Sequence, residues 1–192
     1  MKFEVKVDEA ALKDLKKALK GFEYQLPRHV AVVINKTQKA TISYIAKQVS
    51  KRVNLKQKDI KAKLQAGPKA SASSLGTTVT IPKSKRLGVE KFGARQTKVG
   101  VKYKINKQGQ TMLEGAFMGP VPGVLAPKLY GGAFIRISDS RLPIAKLRAV
   151  SVWGVVDQNK LALPTARFVE ERLTKEINNR IEFLIAKREG KI

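Results

Sequence analysis

The residues able to do chemistry in this 192-residue chain are few, and lysines dominate them. A single histidine, His29, follows Arg28, with no second imidazole and no thiol to share a metal. Its place suits packing or a surface contact better than catalysis. Lys and Arg number 39 against 15 Asp and Glu. A two-carboxylate hydrolytic or Mg²⁺ site would have to be assembled from isolated residues such as Glu90, Glu114, Asp139 and Asp157. The glycines between 115 and 132 lack both the Lys-Ser/Thr and the strand-to-helix setting of a phosphate-binding loop, and no dinucleotide fingerprint or nucleophile elbow occurs. Cysteine is absent, which removes disulfides, thiolate nucleophiles and Cys-based metal sites. We therefore expect no catalytic residue, cofactor or metal, and a protein that acts through its surfaces.

One surface stands out. On a helix turning about 100° per residue, Lys36, Lys39, Lys47 and Lys51 gather on one side, while Val30, Ile34, Thr41, Ile45 and Val49 gather on the other. Arg52 and Lys56 extend the basic side, followed by Lys58, Lys61 and Lys63. Such a stripe can neutralise phosphates with a steep salt dependence, dock on an acidic partner, or stand as a solvated face. Lys outnumbers Arg, which favours point-charge attraction over bidentate recognition. Beyond Tyr44 no aromatic residue accompanies the stripe, so base stacking has no platform. The whole chain carries a formal +24, of which residues 1–66 hold +10, 67–160 hold +12 and 161–192 hold +2. A charge of this size draws polyanions across a Debye length of about 8–10 Å.

The elements that position these residues follow from hydrophobic period. With 43% hydrophobic residues the composition is globular, and the length suits a single domain, 1–192. Phe3, Val5 and Val7 alternate with charged residues as a half-buried strand, and Asp8 can cap a following four-turn helix carrying Leu12, Leu15, Leu19 and Phe22. After Pro27 a helix is expected from Arg28 to Arg52, then a short third helix from Lys56 to Ala66, ended by Gly67-Pro68. Residues 1–66 thus form a helical basic part. The part from 67 to 160 reads as β-rich, with strands at Thr77–Ile81, Val99–Ile105, Thr111–Leu113, Ala133–Ile137 and Ala149–Trp153, and a turn at Asn106-Lys107-Gln108-Gly109. Between 115 and 132 five glycines and three prolines predict a long loop, mobile until it orders against a neighbour. Residues 161–192 predict a C-terminal helix entered at Leu163-Pro164-Thr165, with Val169, Leu173, Ile177, Ile181 and Leu184 on its apolar face, Glu170 and Glu171 near its start, Lys187 and Arg188 near its end, and Gly190 as a stop. The expected class is α+β: N-terminal helices, a central mostly antiparallel sheet and a long C-terminal helix. Met1–Asp8 has no uninterrupted apolar run, and no stretch approaches 18–20 apolar residues, so neither export by a signal peptide nor a membrane span is expected.

The most individual segment is Arg141-Leu142-Pro143-Ile144-Ala145-Lys146-Leu147. By itself it reads as an extended X-Pro edge between two strands, with Leu142, Ile144 and Leu147 buried. Together with Gly132-Ala133-Phe134-Ile135, echoed at Gly115-Ala116-Phe117-Met118, it resembles the prophage minor tail protein Z family of tailed phages, whose members join a Gly-Ala-Phe-Ile-like segment to an Arg-x-Pro-Ile or Leu-Pro-Ile turn. Val33–Thr37 running to Arg52–Leu55, and Leu163–Ala166, are similar to the family's N-terminal half and final helix. The resemblance spans roughly residues 28–185; it departs where members continue with Gly-Pro-Ser-Val and this chain has Arg148–Val152.

The resemblance carries no catalytic residue. It implies a structural tail-completion protein at the head-proximal end of the tail, acting in tail maturation, head–tail joining and DNA positioning. Copies are expected to form a ring, of six-fold symmetry, and to touch a tail terminator or tube protein. The C-terminal helix and the Gly/Pro loop are the expected subunit contacts, and the lysine stripe is expected to meet DNA non-specifically or an acidic neighbour. Assembly would take place in the bacterial cytoplasm, and the protein would reside in the neck of the virion tail. A free-standing, non-enzymatic nucleic-acid-binding protein fits the charge equally well.

Overall fold

The computed structural model describes residues 1–7, 9–18, 25–84, 86–119, 131–140 and 142–189. The fold is α+β: one strand and the N-terminal helices are followed by short antiparallel strands and then by two helices, the last of them long. Two compact units emerge, each built from separated stretches of chain: unit 1 takes Met1–Ile45, Leu64–Pro82 and Lys160–Ile192, and unit 2 takes Ala46–Lys63 and Lys83–Asn159.

In unit 1, β1 (Lys2–Lys6) runs antiparallel to β3 (Gly76–Thr80), whose other edge carries β2 (Gln65–Ala66). Phe3 and Val5 point inward at 8% and 1% exposure, as the alternation in the sequence requires. Helices α1 (Glu9–Ala18), α2 (Leu26–Arg52, continuing into unit 2) and α5 (Ala162–Arg188) supply the rest of the core. Leu15, Val30, Val33, Ile34, Val169, Ile177 and Leu184 form one buried cluster, with Leu12, Leu173 and Ile181 packed at its margin. The five apolar positions read from the period of the C-terminal helix therefore all face this core. A polar seam ties α2 to the 64–82 segment. Asn35 exchanges two hydrogen bonds of 2.9 Å with the backbone of Ala70, and the buried Gln38 donates to Thr77 Oγ1 and to the Gly67 carbonyl. Paired in this way, the buried Gln38 and half-buried Asn35 amides cost little, whereas either one alone would forfeit its hydration.

In unit 2, α3 is Gln57–Lys61, and β4 (Arg95–Gln96), β5 (Gly100–Tyr103) and β6 (Thr111–Glu114) form one three-stranded antiparallel sheet. A second contains β7 (Ala116–Met118), β8 (Ala133–Arg136) and β9 (Ile144–Lys146). The unit also holds α4 (Val152–Gln158) and a 3₁₀ turn at Val89–Phe92. Val49, Ile60, Phe92 and Val101 are wholly buried.

Several expectations need correction. Ala149–Trp153 is not a strand: Ser151 caps a helix, its Oγ accepting from Gly154 N at 3.0 Å, and Val152, Val155 and Val156 bury at helical spacing. The β-branched residues looked like a strand because the capping serine lies inside the run. The third helix stops at Lys61, since Gln65 and Ala66 find backbone partners on β3 at Thr80 and Val79, a long-range gain that outweighs local helix propensity. The C-terminal helix starts at Ala162, with Pro164 in a first turn that needs no amide donor, so Glu170 and Glu171 sit beyond its first turn and contribute little to its dipole. Part of the expected 115–132 loop is strand β7, and Leu142 is exposed at 67%, not buried. Asp8, Leu19, Phe22, Arg141, Gly190 and residues 120–130 lie outside the described residues.

Candidate functional site

Helix α2 is buried on so wide a face that its solvent side is a narrow stripe. Val30, Ala31, Val33, Ile34, Thr37, Gln38, Thr41, Ile45, Ala46 and Val49 are all below 9% exposure. What remains exposed is Arg28, Val32, Lys36, Lys39, Ser43, Lys47 and Lys51, so the four lysines occupy the one face the sequence period assigned them. They are not equivalent. In unit 1, Lys36 Nζ lies 3.6 Å from the buried carboxylate of Glu176, which also pairs with Arg172, and this partner spends part of its charge; Lys39 has no carboxylate partner among the described residues. In unit 2, Lys47 and Lys51 are unpaired in the same sense. Arg52 is half-buried and turns back on its own helix, donating to the Gln48 carbonyl at 3.0 Å. Lys56 is exposed and precedes α3.

The end of α2 also borders two adjoining clefts within unit 2, of about 430 and 360 Å³, which share Val53 and Lys107. The first is walled by Lys51, Arg52 and the Asn106–Gln108 turn together with the end of α4, and the second by Asn54–Gln57, Lys56, Lys91 and Gly93. The Val53–Asn106 bridge and the bond from Asn54 N to the Ile105 carbonyl, 2.7 Å, hold the turn against the chain leaving α2. Five cations, Lys51, Arg52, Lys56, Lys91 and Lys107, line the pair with six side-chain amides, and no lining residue is acidic. Among the described residues Lys91 alone of the five is paired with a carboxylate, 3.2 Å from Asp59. Lys91 and Lys107 were not legible as site residues, because nothing in the sequence spacing connects them to α2.

The charge follows the tertiary units and not the thirds of the sequence. Unit 2 holds 21 of the 39 basic and 5 of the 15 acidic residues, a net +16, and unit 1 the remaining +8. The exposed Arg95 and Lys102 stand directly opposite one another across β4 and β5, an arrangement of like charges that costs stability unless an anion intervenes.

The two echoed segments pair with each other. Ala116, Phe117 and Met118 face Ile135, Phe134 and Ala133, so the Gly-Ala-Phe repeats are the two arms of one antiparallel ladder, with the Phe117 and Phe134 rings stacked at 6.0 Å. Gly132 lies against the Phe134 ring, where an added Cβ would come within 2.7 Å. Ala133 and Phe134 are buried, Ile135 and Ile144 are half-buried, and Pro143 precedes β9 with the Leu142–Pro143 bond in cis. These residues are structural first: β8 is the central strand of its sheet.

His29 is a packed residue of unit 1, accepting at Nδ1 from Arg180 Nε at 3.0 Å, with Nε2 buried and unpartnered. Burial, then the positive charges of Arg180 and Lys187, push its pKa below the usual 6.5. The unfolded chain therefore binds a proton below about pH 6.5 that the folded chain refuses, and unit 1 is expected to lose stability as pH falls from 7 toward 5. As this is the chain's one imidazole, an NMR titration reads it directly. A midpoint at or above 6.5, or an unchanged pH slope of stability in His29→Gln, would contradict the account.

Among the described residues no group of three or more His, Cys, Asp or Glu is placed to hold a metal, and no helix is long and apolar enough to cross a membrane. No protein-family model, curated protein or solved structure matches the chain.

Proposed function

We propose that the chain is a structural minor tail protein of a tailed phage or prophage, non-enzymatic, acting at the head-proximal end of the tail in tail completion, head–tail joining and DNA positioning. The observation that carries this reading is the resemblance at Gly132–Ile135 and Arg141–Ile144; the described part of that motif contributes to two neighbouring strands, β8 and β9, and its echo to a third, β7. In this reading copies assemble as a ring, of six-fold symmetry, against a tail terminator or tube protein within the neck of the virion, after synthesis in the host cytoplasm. On the C-terminal helix of unit 1, Leu163, Phe183 and Ile185 are 72%, 41% and 45% exposed and are the proposed subunit contacts.

Deleting the gene from its phage tests this. The expected result is loss of infectious particles with tails of normal length, either unjoined or joined to heads that fail to deliver DNA, in negative-stain micrographs. Normal titre and morphology would overturn it. The net +16 of unit 2 favours a second reading, a free-standing nucleic-acid-binding protein. Neighbouring genes for tail tube, tape measure and terminator are expected under the first reading, and translation genes under the second.

A further inference from the structure

We infer that the paired clefts at the end of α2 in unit 2 are a docking site for the phosphate backbone of duplex nucleic acid. The inference sharpens the DNA-positioning part of the proposed function and rests on that reading for its biological setting, though not for its chemistry.

The chemistry is that of a concave cationic surface. Lys51, Lys56 and Lys107 are exposed and without a carboxylate partner among the described residues, and they converge from three separate stretches of chain: the last turn of α2, the residue before α3 and the β5–β6 turn. Low-dielectric walls around such a group focus its field outward, so its pull on a polyanion exceeds that of the same lysines on a convex face. One feature of the clefts opposes an anion, the carbonyl ends of α2 and α4, each equivalent to about half a negative charge. The Arg52 guanidinium bonded to the Gln48 carbonyl offsets the first, and three unpaired ammonium groups outweigh the second. Gln57, Asn106 and Gln108 line the clefts, form no side-chain hydrogen bond among the described residues, and can donate to phosphate and sugar oxygens, the usual partners of amides on a nucleic-acid backbone.

The same surface indicates which polyanion it takes. No aromatic side chain lines either cleft, so unstacked single strands gain nothing there. Lysines dominate, which suits non-specific backbone attraction and not bidentate reading of bases. An acidic protein partner would be expected to meet apolar surface at the centre of its contact, and here amides and ammonium groups surround only Val53, Leu55, Ile105, Val150 and Val155.

The test uses the full chain and a fluorescently labelled duplex of about 20 base pairs, titrated between 50 and 200 mM salt. Three charge-matched double variants separate location from net charge: Lys56→Gln with Lys107→Gln in the clefts, Arg95→Gln with Lys102→Gln on the β4–β5 face, and Lys36→Gln with Lys39→Gln on unit 1. All six side chains are exposed, so each variant is expected to fold. The cleft pair is expected to weaken binding about tenfold or more and to reduce the salt slope by about 0.9 for each lost contact, while the other two pairs weaken it less than threefold. Equal losses in all three pairs would leave only a diffuse field and overturn the site. Absence of duplex binding by the unmodified chain at 50 mM salt, or equal affinity for a polyglutamate peptide of matched charge, would overturn the ligand, the second in favour of an acidic protein. Loss of duplex binding by the cleft pair with no phage defect would separate the two conclusions, since the site would then stand and the tail role of the site would not.

Discussion

A Gly100→Ala chain is expected to lose about 3 kcal/mol of the stability of unit 2, at the upper end of what forced overpacking costs. The added Cβ would sit 2.1 Å from the Leu113 carbonyl oxygen and 2.9 Å from the Glu114 Cα, and both belong to the backbone of β6, which cannot rotate away. Gly100 cannot retreat either. Its N–H donates to Thr97 Oγ1 at 3.1 Å, and its carbonyl accepts from Thr97 N at 2.7 Å and from Thr97 Oγ1 at 2.8 Å, so the turn before β5 pins it from the other side. The single tryptophan, Trp153, lies in unit 2 with Lys83 Nζ 5.2 Å from its ring centre, and its fluorescence follows the unfolding of that unit in urea. Gly109→Ala is the control: nothing lies within 4 Å of its added Cβ, and a change below about 1 kcal/mol is expected. Equal costs at the two positions would mean that the close approach at Gly100 relaxes in solution.

The second large effect lies in unit 1. Glu176→Ala is expected to cost about 3 kcal/mol, because its carboxylate is 4% exposed and holds the Arg172 guanidinium one turn earlier. Removing it leaves that guanidinium, whose Nε is already buried and unpartnered, without its counter-charge. The Lys36 share is small: that ammonium is 59% exposed and 3.6 Å away, so solvent screens it and Lys36→Gln should cost less than about 1 kcal/mol. Replacing Arg172 and Glu176 together by Met and Leu removes both charges and fills the volume, and should recover most of the loss. Protection of α5 amides in hydrogen exchange measures all three. A cost below about 1 kcal/mol for Glu176→Ala would show that water reaches the carboxylate, and recovery no better than the single variant would show that shape rather than charge is at stake.

What could be read without coordinates was whatever repeats along one element. The 3.6-residue period placed the buried face of α2 at Val30, Ile34, Thr41, Ile45 and Val49, its basic stripe opposite, and the core face of α5 at Val169, Leu173, Ile177, Ile181 and Leu184. Two-residue alternation located β1, and turn chemistry located the β5–β6 hairpin around Asn106–Gly109. These signals are local because a helix or strand repeats its geometry every few residues, and one face must leave water. Short elements carried no such repeat: β2 and β4 have two residues each, too few for a period, and exist because a neighbouring strand satisfies their backbone. Where a capping serine sat inside a β-branched run, at Ser151, propensity pointed the wrong way and burial at helical spacing prevailed.

Composition and period are enough for the α+β class, the amphipathic helices, the excess of positive charge and the lysine stripe, since neither depends on a distant partner. Where that charge is concentrated, and which cations meet, depends on how the folded chain brings distant segments together. Folding divided the chain into units of +16 and +8 from interleaved segments, paired the Gly-Ala-Phe echoes across one ladder, committed Lys36 to Glu176, and brought Lys107 to the cleft beside Lys51 and Lys56. The physical reason is that electrostatics acts through space, over about a Debye length, while residues some fifty positions apart along the chain become neighbours only when long-range pairing repays the entropy of closing the loop between them.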